Sequence, residues 1–249
     1  MTGSLAPDFE ALYRGESLYP EGHPLRAVFQ DIVPWDIGGP QRPLVRLVAD
    51  GGLRGHVLDA GCGLGDSALY LAGRGYRVTA FDNSPAAIRR ATARAESLGV
   101  SVEFLIADAT ALDDLADHSF DTILDNGLLH SLDPAGRAAY LAALRRAAAP
   151  EARLYVVCWT DDTPSQLRPP HQDDAEGTRR TLTEAGWAVT RFDWTQYAFN
   201  SALTREILHQ AMEVTGAGEE GRCYVDRLAT DEHGRLLLPL WSITAEVFR

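Results

Sequence analysis

The segment from His56 to Asp82 constrains the fold more than any other part of this 249-residue chain. An apolar run begins directly after His56, three closely spaced glycines follow it, and a helical pattern opens near Asp66. A second apolar run then ends at the carboxylate of Asp82. The order predicts a β-strand, a glycine-rich turn, an α-helix and a parallel strand that ends in an acid.

The glycines of this unit are Gly61, Gly63 and Gly65. Without a Cβ atom, a glycine lets the backbone approach a ligand closely. Asp82 lies near the roughly 20-residue distance expected of an acid that binds ribose hydroxyls. A carboxylate can accept a hydrogen bond from each hydroxyl of a vicinal diol. The segment therefore predicts a site for a nucleoside.

The charge around the glycines indicates which nucleoside fits. A dinucleotide site would place its third glycine at position 66, where the chain has Asp66, and Asp59 adds a second acid before the turn. Carboxylates on both sides of a pyrophosphate would repel it. A ligand with positive charge and no phosphate is favoured, and a nicotinamide-dependent oxidoreductase remains as a disfavoured alternative.

The run from Asp59 to Gly65 resembles the first motif of the class I S-adenosylmethionine-dependent methyltransferases, (Asp/Glu)-x-Gly-x-Gly-x-Gly. S-adenosylmethionine carries an ammonium, a sulfonium and a ribose but no phosphate, as the charge pattern requires. The resemblance implies S-adenosyl-L-methionine as the cofactor and S-adenosyl-L-homocysteine as its product. It also implies direct in-line methyl transfer to an oxygen, nitrogen, sulfur or carbon atom.

The resemblance also implies a set of cofactor-binding residues. Most of them stand at or just after the carboxyl ends of predicted strands, where open α/β sheets bind ligands. Asp108 is expected to accept a hydrogen bond from the adenine amino group. The full set is Trp35, Asp59, Gly61, Cys62, Gly63, Asp82, Asn83, Asp108, Ala109, Asp125 and Asn126.

Trp35 belongs to the run 34–41, Pro-Trp-Asp-Ile-Gly-Gly-Pro-Gln. This run resembles the N-terminal signature of a small-molecule subgroup that is distantly like the thiopurine methyltransferases, and implies a loop that closes over the cofactor. In that subgroup a Tyr-x-Gly element directly precedes the tryptophan. Here about 17 residues, Ser17 to Val33, separate the two, so the shape of the lid does not follow from the resemblance.

The segment after the fourth predicted strand marks the expected methyl-transfer site. It reads Asp125-Asn126-Gly127-Leu128-Leu129-His130 and lacks the Asn/Asp-Pro-Pro-Tyr/Phe pattern of enzymes that methylate adenine or glutamine. His130 is predicted to be a general base or an orienting hydrogen-bond group, and a packing role is the alternative. The acceptor is expected to be a small, partly aromatic secondary metabolite, with Trp35, Trp159, Trp194 and Tyr197 as candidate pocket residues.

Alternating strands and helices predict an α/β fold with a doubly wound parallel sheet. The resemblance implies a Rossmann-like sheet of seven strands, mostly parallel with an antiparallel C-terminal strand, and helices on both faces. We expect a single domain over 1–249, with a lid (1–54), a cofactor-binding core (55–160) and a C-terminal half (161–249). In that half, helices are predicted at about 173–185 and 201–214, and a flexible loop at 216–222.

Composition narrows the partners. The net charge of −12 and the pI near 5.0 disfavour nucleic acid and anionic membranes, and no apolar run is long enough to span a bilayer. The three cysteines form no C-x-x-C motif, so a reducing cytoplasm is expected. Asp161 and Asp162 lack a third ligand, so no metal is expected. Abundant alanine and arginine with no lysine indicate a bacterial source.

Three questions stay open at this point. The oligomeric state is a monomer or a homodimer. A protein that binds the cofactor but catalyses a cyclisation, or assists another enzyme, would show the same motifs. Methyl transfer to protein or RNA is disfavoured by the acidity and by the lack of a substrate-binding extension.

Overall fold

A computed structural model of the chain describes residues 7–29, 32–169 and 172–248. Parts of the predicted lid (1–54) and of the loop before residue 172 therefore lie outside the described residues. The helices are α1 (Phe9–Tyr13), α2 (Arg26–Phe29), α3 (Arg42–Ala49), α4 (Asp66–Ala72), α5 (Pro85–Leu98), α6 (Pro134–Ala147), α7 (Ala175–Glu184), α8 (Arg205–Val214) and α9 (Gly218–Arg227), with a short 3₁₀ turn at Leu129–Ser131. The strands are β1 (His56–Ala60), β2 (Arg77–Asp82), β3 (Glu103–Ile106), β4 (Phe120–Asn126), β5 (Ala148–Trp159), β6 (Trp187–Ala198), β7 (Ala229–Thr230) and β8 (Leu236–Val247). Within the described residues, a helix follows each strand from β1 to β6 except β3, which connects to β4 without one.

The strands form one sheet in the order β3-β2-β1-β4-β5-β8-β6. The first five strands in chain order pair in parallel, and β8 runs antiparallel to both of its neighbours. The predicted doubly wound sheet with an antiparallel C-terminal strand is thus confirmed. The described chain adds an eighth strand, the two-residue β7, which pairs with the start of β8.

Local sequence signals explain the helix that follows β2. The side chain of Ser84 accepts a hydrogen bond from the amide of Ala87 at 3.0 Å, and Pro85 occupies the first helical position. Gly99 ends the helix in a left-handed conformation with φ of 65°. These are the capping preferences of helix termini, so local sequence sets both ends of this helix.

An apolar cluster covers the carboxyl ends of β5 and β6. The insertion that separates the two N-terminal motifs contributes Leu25 and, from helix α2, Val28 and Phe29. These side chains pack with Leu208 and Val225 of α8 and α9. The N-terminal insertion and the C-terminal half therefore build one cap beside the end of the sheet, defined here as α2, α8 and α9.

The prediction of a flexible loop at 216–222 is wrong, because α9 begins at Gly218. The glycines at 216, 218 and 221 concealed this helix, although Glu219 and Glu220 favour a helix N-terminus. Gly221 is also buried against Met212, where an added Cβ would lie 2.8 Å from the sulfur. Among the described residues, no helix is both long and apolar enough to cross a membrane.

Candidate functional site

The glycine-rich turn is tied directly to the acid at the end of β2. The amide of Gly63 donates to Oδ2 of Asp82 at 2.9 Å, and the amide of Ser84 donates to Oδ1 at 2.9 Å. Gly61, Gly63 and Gly65 all have positive φ, from 51° to 79°. Each carboxylate oxygen has a second lone pair, so Asp82 can still accept from a ribose diol at this position.

The N-terminal helix α1 folds back over this turn. The carboxylate of Glu10 accepts from the hydroxyl of Ser84 and, at 3.1 Å, from the amide of Ala86. The Tyr13 hydroxyl lies so close to Gly63 that an added Cβ there would be 2.6 Å away. Tyr13 was not in the predicted site, although it begins this chain's own Tyr-x-Gly element, Tyr13 to Gly15, which was the sequence signal that pointed to it.

Four carboxylates surround the turn. Burial, together with the charges of Asp66, Asp82 and Asp125, raises the pKa of Asp59 to about 7, against the lowering effect of one hydrogen bond from the amide of Ala68. Burial likewise raises the pKa of Asp125 to about 6. A cationic ligand would relieve this repulsion, whereas a pyrophosphate would increase it. The residues present therefore fit the sulfonium and ammonium of S-adenosylmethionine.

Asp66 contributes less to this field than the sequence alone suggested. Nη2 of Arg94 pairs with its carboxylate at 2.6 Å, and the pair is only partly exposed. The charge of Asp66 is thus largely balanced within the protein. The argument against a pyrophosphate depends mainly on Asp59 and Asp82.

The remaining residues of the predicted set lie around the same edge of the sheet. The exposed carboxylate of Asp108 accepts from the amide and the hydroxyl of Thr110, both at 2.8 Å, and these bonds lower its pKa. Ala109 is buried, Asn83 is exposed, and the half-buried Cys62 donates its amide to the carbonyl of Phe81. No group of three or more His, Cys, Asp or Glu side chains among the described residues is placed to hold a metal ion.

Asp125 and Asn126 end β4 but serve different purposes. The fully buried carboxylate of Asp125 accepts from the hydroxyl of Tyr140 at 2.9 Å and from three consecutive amides, those of residues 127 to 129. Its side chain shapes the loop and points into the protein, so a cofactor contact there would have to come from the backbone.

Asn126, in contrast, connects the two sides of the site. Its Oδ1 accepts from the hydroxyl of Tyr197 at 2.6 Å, and its Nδ2 donates to the hydroxyl of Ser67 at 3.2 Å. Ser67 lies in the first turn of α4, and Tyr197 lies near the end of β6. The chain of bonds runs from the glycine-rich turn to the expected acceptor side.

His130 lies in the 3₁₀ turn after β4. Its Nε2 accepts from Nε1 of Trp159 at 3.2 Å, while its Nδ1 is shielded from solvent and has no partner among the described residues. Burial, and secondarily the charge of Arg137, lowers the pKa of His130 to about 3. An imidazole this weakly basic is poorly matched to proton abstraction at neutral pH. The geometry favours the orienting role over the general base.

The Trp35 loop is fastened to the end of β6. The side-chain amide of Gln41 donates to the carbonyls of Trp35 and Ala198 and accepts from the amide of Ala198. The indole of Trp35 packs against Phe9 with ring centroids 5.9 Å apart and is 39% exposed. The expectation that Trp194 lines the pocket is wrong: it is 64% exposed on β6, the last strand in the sheet order.

Comparison with known proteins agrees with this geometry. Residues 57–151 match the family model described as a methyltransferase domain. Over 191 residues, 76% of this chain and 80% of the relative, the chain is 38% identical to the 2-heptyl-1-hydroxyquinolin-4(1H)-one methyltransferase of Mycobacteroides abscessus.

Two solved structures share the fold. One, described as "Conversion of a Disulfide Bond into a Thioacetal Group during Echinomycin Biosynthesis", is 30% identical with a TM-score of 0.72 and covers 96% of this chain and 91% of its own. The other is the Burkholderia thailandensis 1,6-didemethyltoxoflavin-N1-methyltransferase with S-adenosylhomocysteine bound. It is 23% identical with a TM-score of 0.56 and covers 84% and 78% of the two chains.

The motif, the sheet and the carboxylate-lined turn fit a methyltransferase, and the 38% identity to a named methyltransferase points to the same family. The chain belongs to the class I S-adenosylmethionine-dependent methyltransferases.

Proposed function

We propose that this enzyme methylates a planar heteroaromatic metabolite on an acidic oxygen, such as an N-hydroxyl group. The observation that carries the proposal is the 38% identity to an enzyme whose name gives it a 1-hydroxyquinolin-4-one as acceptor. The surroundings of the β4 end support it, since aromatic side chains donate hydrogen bonds to two residues there: Tyr197 donates to Asn126, and Trp159 donates to His130. Flat aromatic ligands bind well in pockets with such walls.

S-adenosylmethionine supplies an activated methyl group, so the chain's own residues mainly bind and align. We assign the ribose to Asp82 with Asn83, the adenine to Asp108 and Ala109, and the methionine end to the turn 59–63, with Trp35 as the closing residue. The backbone of Asp125 and the side chain of Asn126 complete the set. Holding nucleophile and methyl donor in line can lower the barrier by about 7–11 kcal/mol.

The position of His130 bears on which acceptors can react. Nε2 of His130 already accepts a hydrogen bond from Trp159. Nδ1 is shielded from solvent, and His130 also lines a small cavity. An acceptor that ionises by itself near neutral pH, as N-hydroxy heteroaromatics do, needs no protein base. A disulfide sulfur carries no proton either, so a cyclic disulfide is the second candidate, favoured by the 30% identical structure.

We further propose that the chain works as one domain, with the N-terminal segment as a lid, on a small molecule and not on nucleic acid, in a bacterial cytoplasm. Helix α1 contacts the cofactor-binding core, and Trp35 packs against Phe9 of that helix, which supports the assignment of the lid.

An acceptor panel tests the proposed chemistry. Purified enzyme and S-adenosylmethionine would be incubated with a 1-hydroxyquinolin-4-one, the matching quinolin-4-one without the N-hydroxyl, a weakly acidic phenol and a cyclic disulfide. We expect the N-hydroxy compound to be methylated fastest, with a rate that follows its own ionisation as pH rises. Equal rates for the compounds with and without the N-hydroxyl would contradict the proposal.

A further inference from the structure

A small cavity lies beneath His130, bounded by the 3₁₀ turn, β5, α6 and α7. Four buried side-chain nitrogen or oxygen atoms of the described residues lack a hydrogen-bond partner, and three of them belong to residues that line this cavity. These three are Nδ1 of His130, Nη2 of Arg137 and Oε1 of Gln172. Buried polar atoms rarely stay unpaired, so three of them on residues around one cavity indicate an occupant.

The protonation of His130 follows from its neighbour. An indole N–H can only donate, so Nε2 of His130, which faces Nε1 of Trp159 at 3.2 Å, must be unprotonated. A neutral imidazole then carries its proton on Nδ1. The residues around the cavity therefore have two free hydrogen-bond donors, Nδ1–H of His130 and Nη2 of Arg137, and one free acceptor, Oε1 of Gln172.

The other atoms of Arg137 and Gln172 are already bonded, which fixes the free atoms in place. Arg137 is 4% exposed, its Nη1 pairs with Asp173 at 2.5 Å, and its Nε donates to the carbonyl of Leu132 at 3.0 Å. Nε2 of Gln172 donates to the carbonyl of Asp173 at 2.6 Å. Because the charge of Arg137 is balanced by Asp173 and Gln172 presents an oxygen, an anion is disfavoured in the cavity.

We propose that one internal water occupies this cavity and that, through it, Arg137 and Gln172 are positioning residues for His130. The cavity has room for about one water molecule. A water can accept from both donors and donate to Gln172, satisfying all three atoms. The water holds the tautomer in which Nε2 of His130 accepts from Trp159, and so fixes the indole beside the acceptor. This role rests on the proposed function, whereas the tautomer does not.

The tautomer can be measured without knowing the acceptor. In protein labelled with ¹⁵N-histidine, with His130 assigned by the signal lost in His130→Gln, we expect the neutral Nδ1–H form. Its ring proton should show a magnetisation-transfer peak to a long-lived water. The Nε2–H form in the wild-type protein, or the absence of that water peak, would overturn the proposal.

A matched pair of variants tests the positioning role. Gln172→Met removes the acceptor, and Gln166→Met makes the same change at an exposed position of the same loop. With the best acceptor, Gln172→Met should mix the two tautomers and lower kcat about three- to tenfold, the effect of one lost hydrogen bond. Cofactor affinity should stay within about twofold, because the cofactor contacts are elsewhere.

Gln166→Met should change neither quantity. If Gln172→Met folds poorly, Arg137→Lys is the second variant, because it keeps a charge opposite Asp173 while removing Nη2. It should change the His130 tautomer and kcat as expected for Gln172→Met. An unchanged tautomer and kcat in the folded variant would refute the role of the water. Loss of activity with every acceptor, alongside the expected tautomer, would instead count against the proposed function.

Discussion

The amide of Gly63 donates a 2.9 Å hydrogen bond to the carboxylate of Asp82, the residue that we propose as the ribose ligand. The two residues are 19 positions apart, on the turn after β1 and at the end of β2. The bond fixes the glycine-rich turn against the acid, so the fold itself shapes this part of the cofactor site.

Replacing Asp82 by asparagine should weaken cofactor binding. The Asp82→Asn side chain keeps an oxygen that can accept from one of the two amides, but it loses the charge that strengthens the bonds to ribose hydroxyls. We expect a tenfold to hundredfold lower affinity, about 1.5–3 kcal/mol, by titration calorimetry. Unchanged affinity in a variant with a native melting curve would remove Asp82 from the site.

The contact between Tyr13 and Gly63 can be tested by a double substitution. Gly63→Ala adds a Cβ that would lie 2.6 Å from the Tyr13 hydroxyl, whereas Gly75→Ala, also at positive φ, meets nothing within 4 Å. Gly63→Ala should therefore cost about 1–3 kcal/mol more unfolding free energy than Gly75→Ala, because of the added overpacking.

Combining Gly63→Ala with Tyr13→Phe removes the hydroxyl and should recover part of that stability in urea denaturation. If the double variant is no more stable than Gly63→Ala, the hydroxyl is not the atom in contact. The Gly75→Ala variant separates this effect from the strain of a left-handed alanine.

Cofactor binding should strengthen as pH rises towards 8. The pKa of Asp59 is raised to about 7, chiefly by burial, and a bound cation would lower it, so binding should release protons near pH 6–7. Affinity should rise by up to about tenfold per pH unit below the pKa and level off above it. Calorimetry in buffers of different ionisation enthalpy measures the released protons.

Asp59→Asn should remove most of this pH dependence. The same raised pKa means that the folded, ligand-free protein holds a proton that the unfolded chain releases near pH 3.8. The contribution of this group to stability is therefore lost as pH rises from about 4 to 7. Wild-type binding without proton release would show that Asp59 is not sensitive to the cofactor charge.

The sequence predicted what depends on local pattern. The strand–turn–helix unit, the caps at Ser84 and Gly99, and the antiparallel last strand follow from spacing, capping residues and the resemblance. Contacts between segments that are distant in the chain could not be predicted from the sequence. The bond of Gln41 to Ala198 spans 157 residues, and Tyr13 meets Gly63 only because α1 folds onto α5. The buried, weakly basic state of His130 likewise depends on packing that no local pattern records.

Substitutions at His130 distinguish orientation from proton transfer. His130→Ala leaves the indole N–H of Trp159 without its acceptor and should lower kcat at least about tenfold. His130→Gln supplies an amide oxygen to the same N–H and should retain most of the activity. The surface variant His209→Ala is the control. If the His130→Gln enzyme is as slow as His130→Ala, the result would support the general-base role of His130 instead.

The most direct test of the account follows the methyl group itself. The enzyme would be given S-adenosylmethionine with a ¹³C-labelled methyl and a 1-hydroxyquinolin-4-one, and the product examined by mass spectrometry and NMR. The account predicts one labelled methyl attached to the N-hydroxyl oxygen, with little product from Asp82→Asn at limiting cofactor. Label on carbon or ring nitrogen, or no transfer from a protein that binds S-adenosylmethionine, would contradict it.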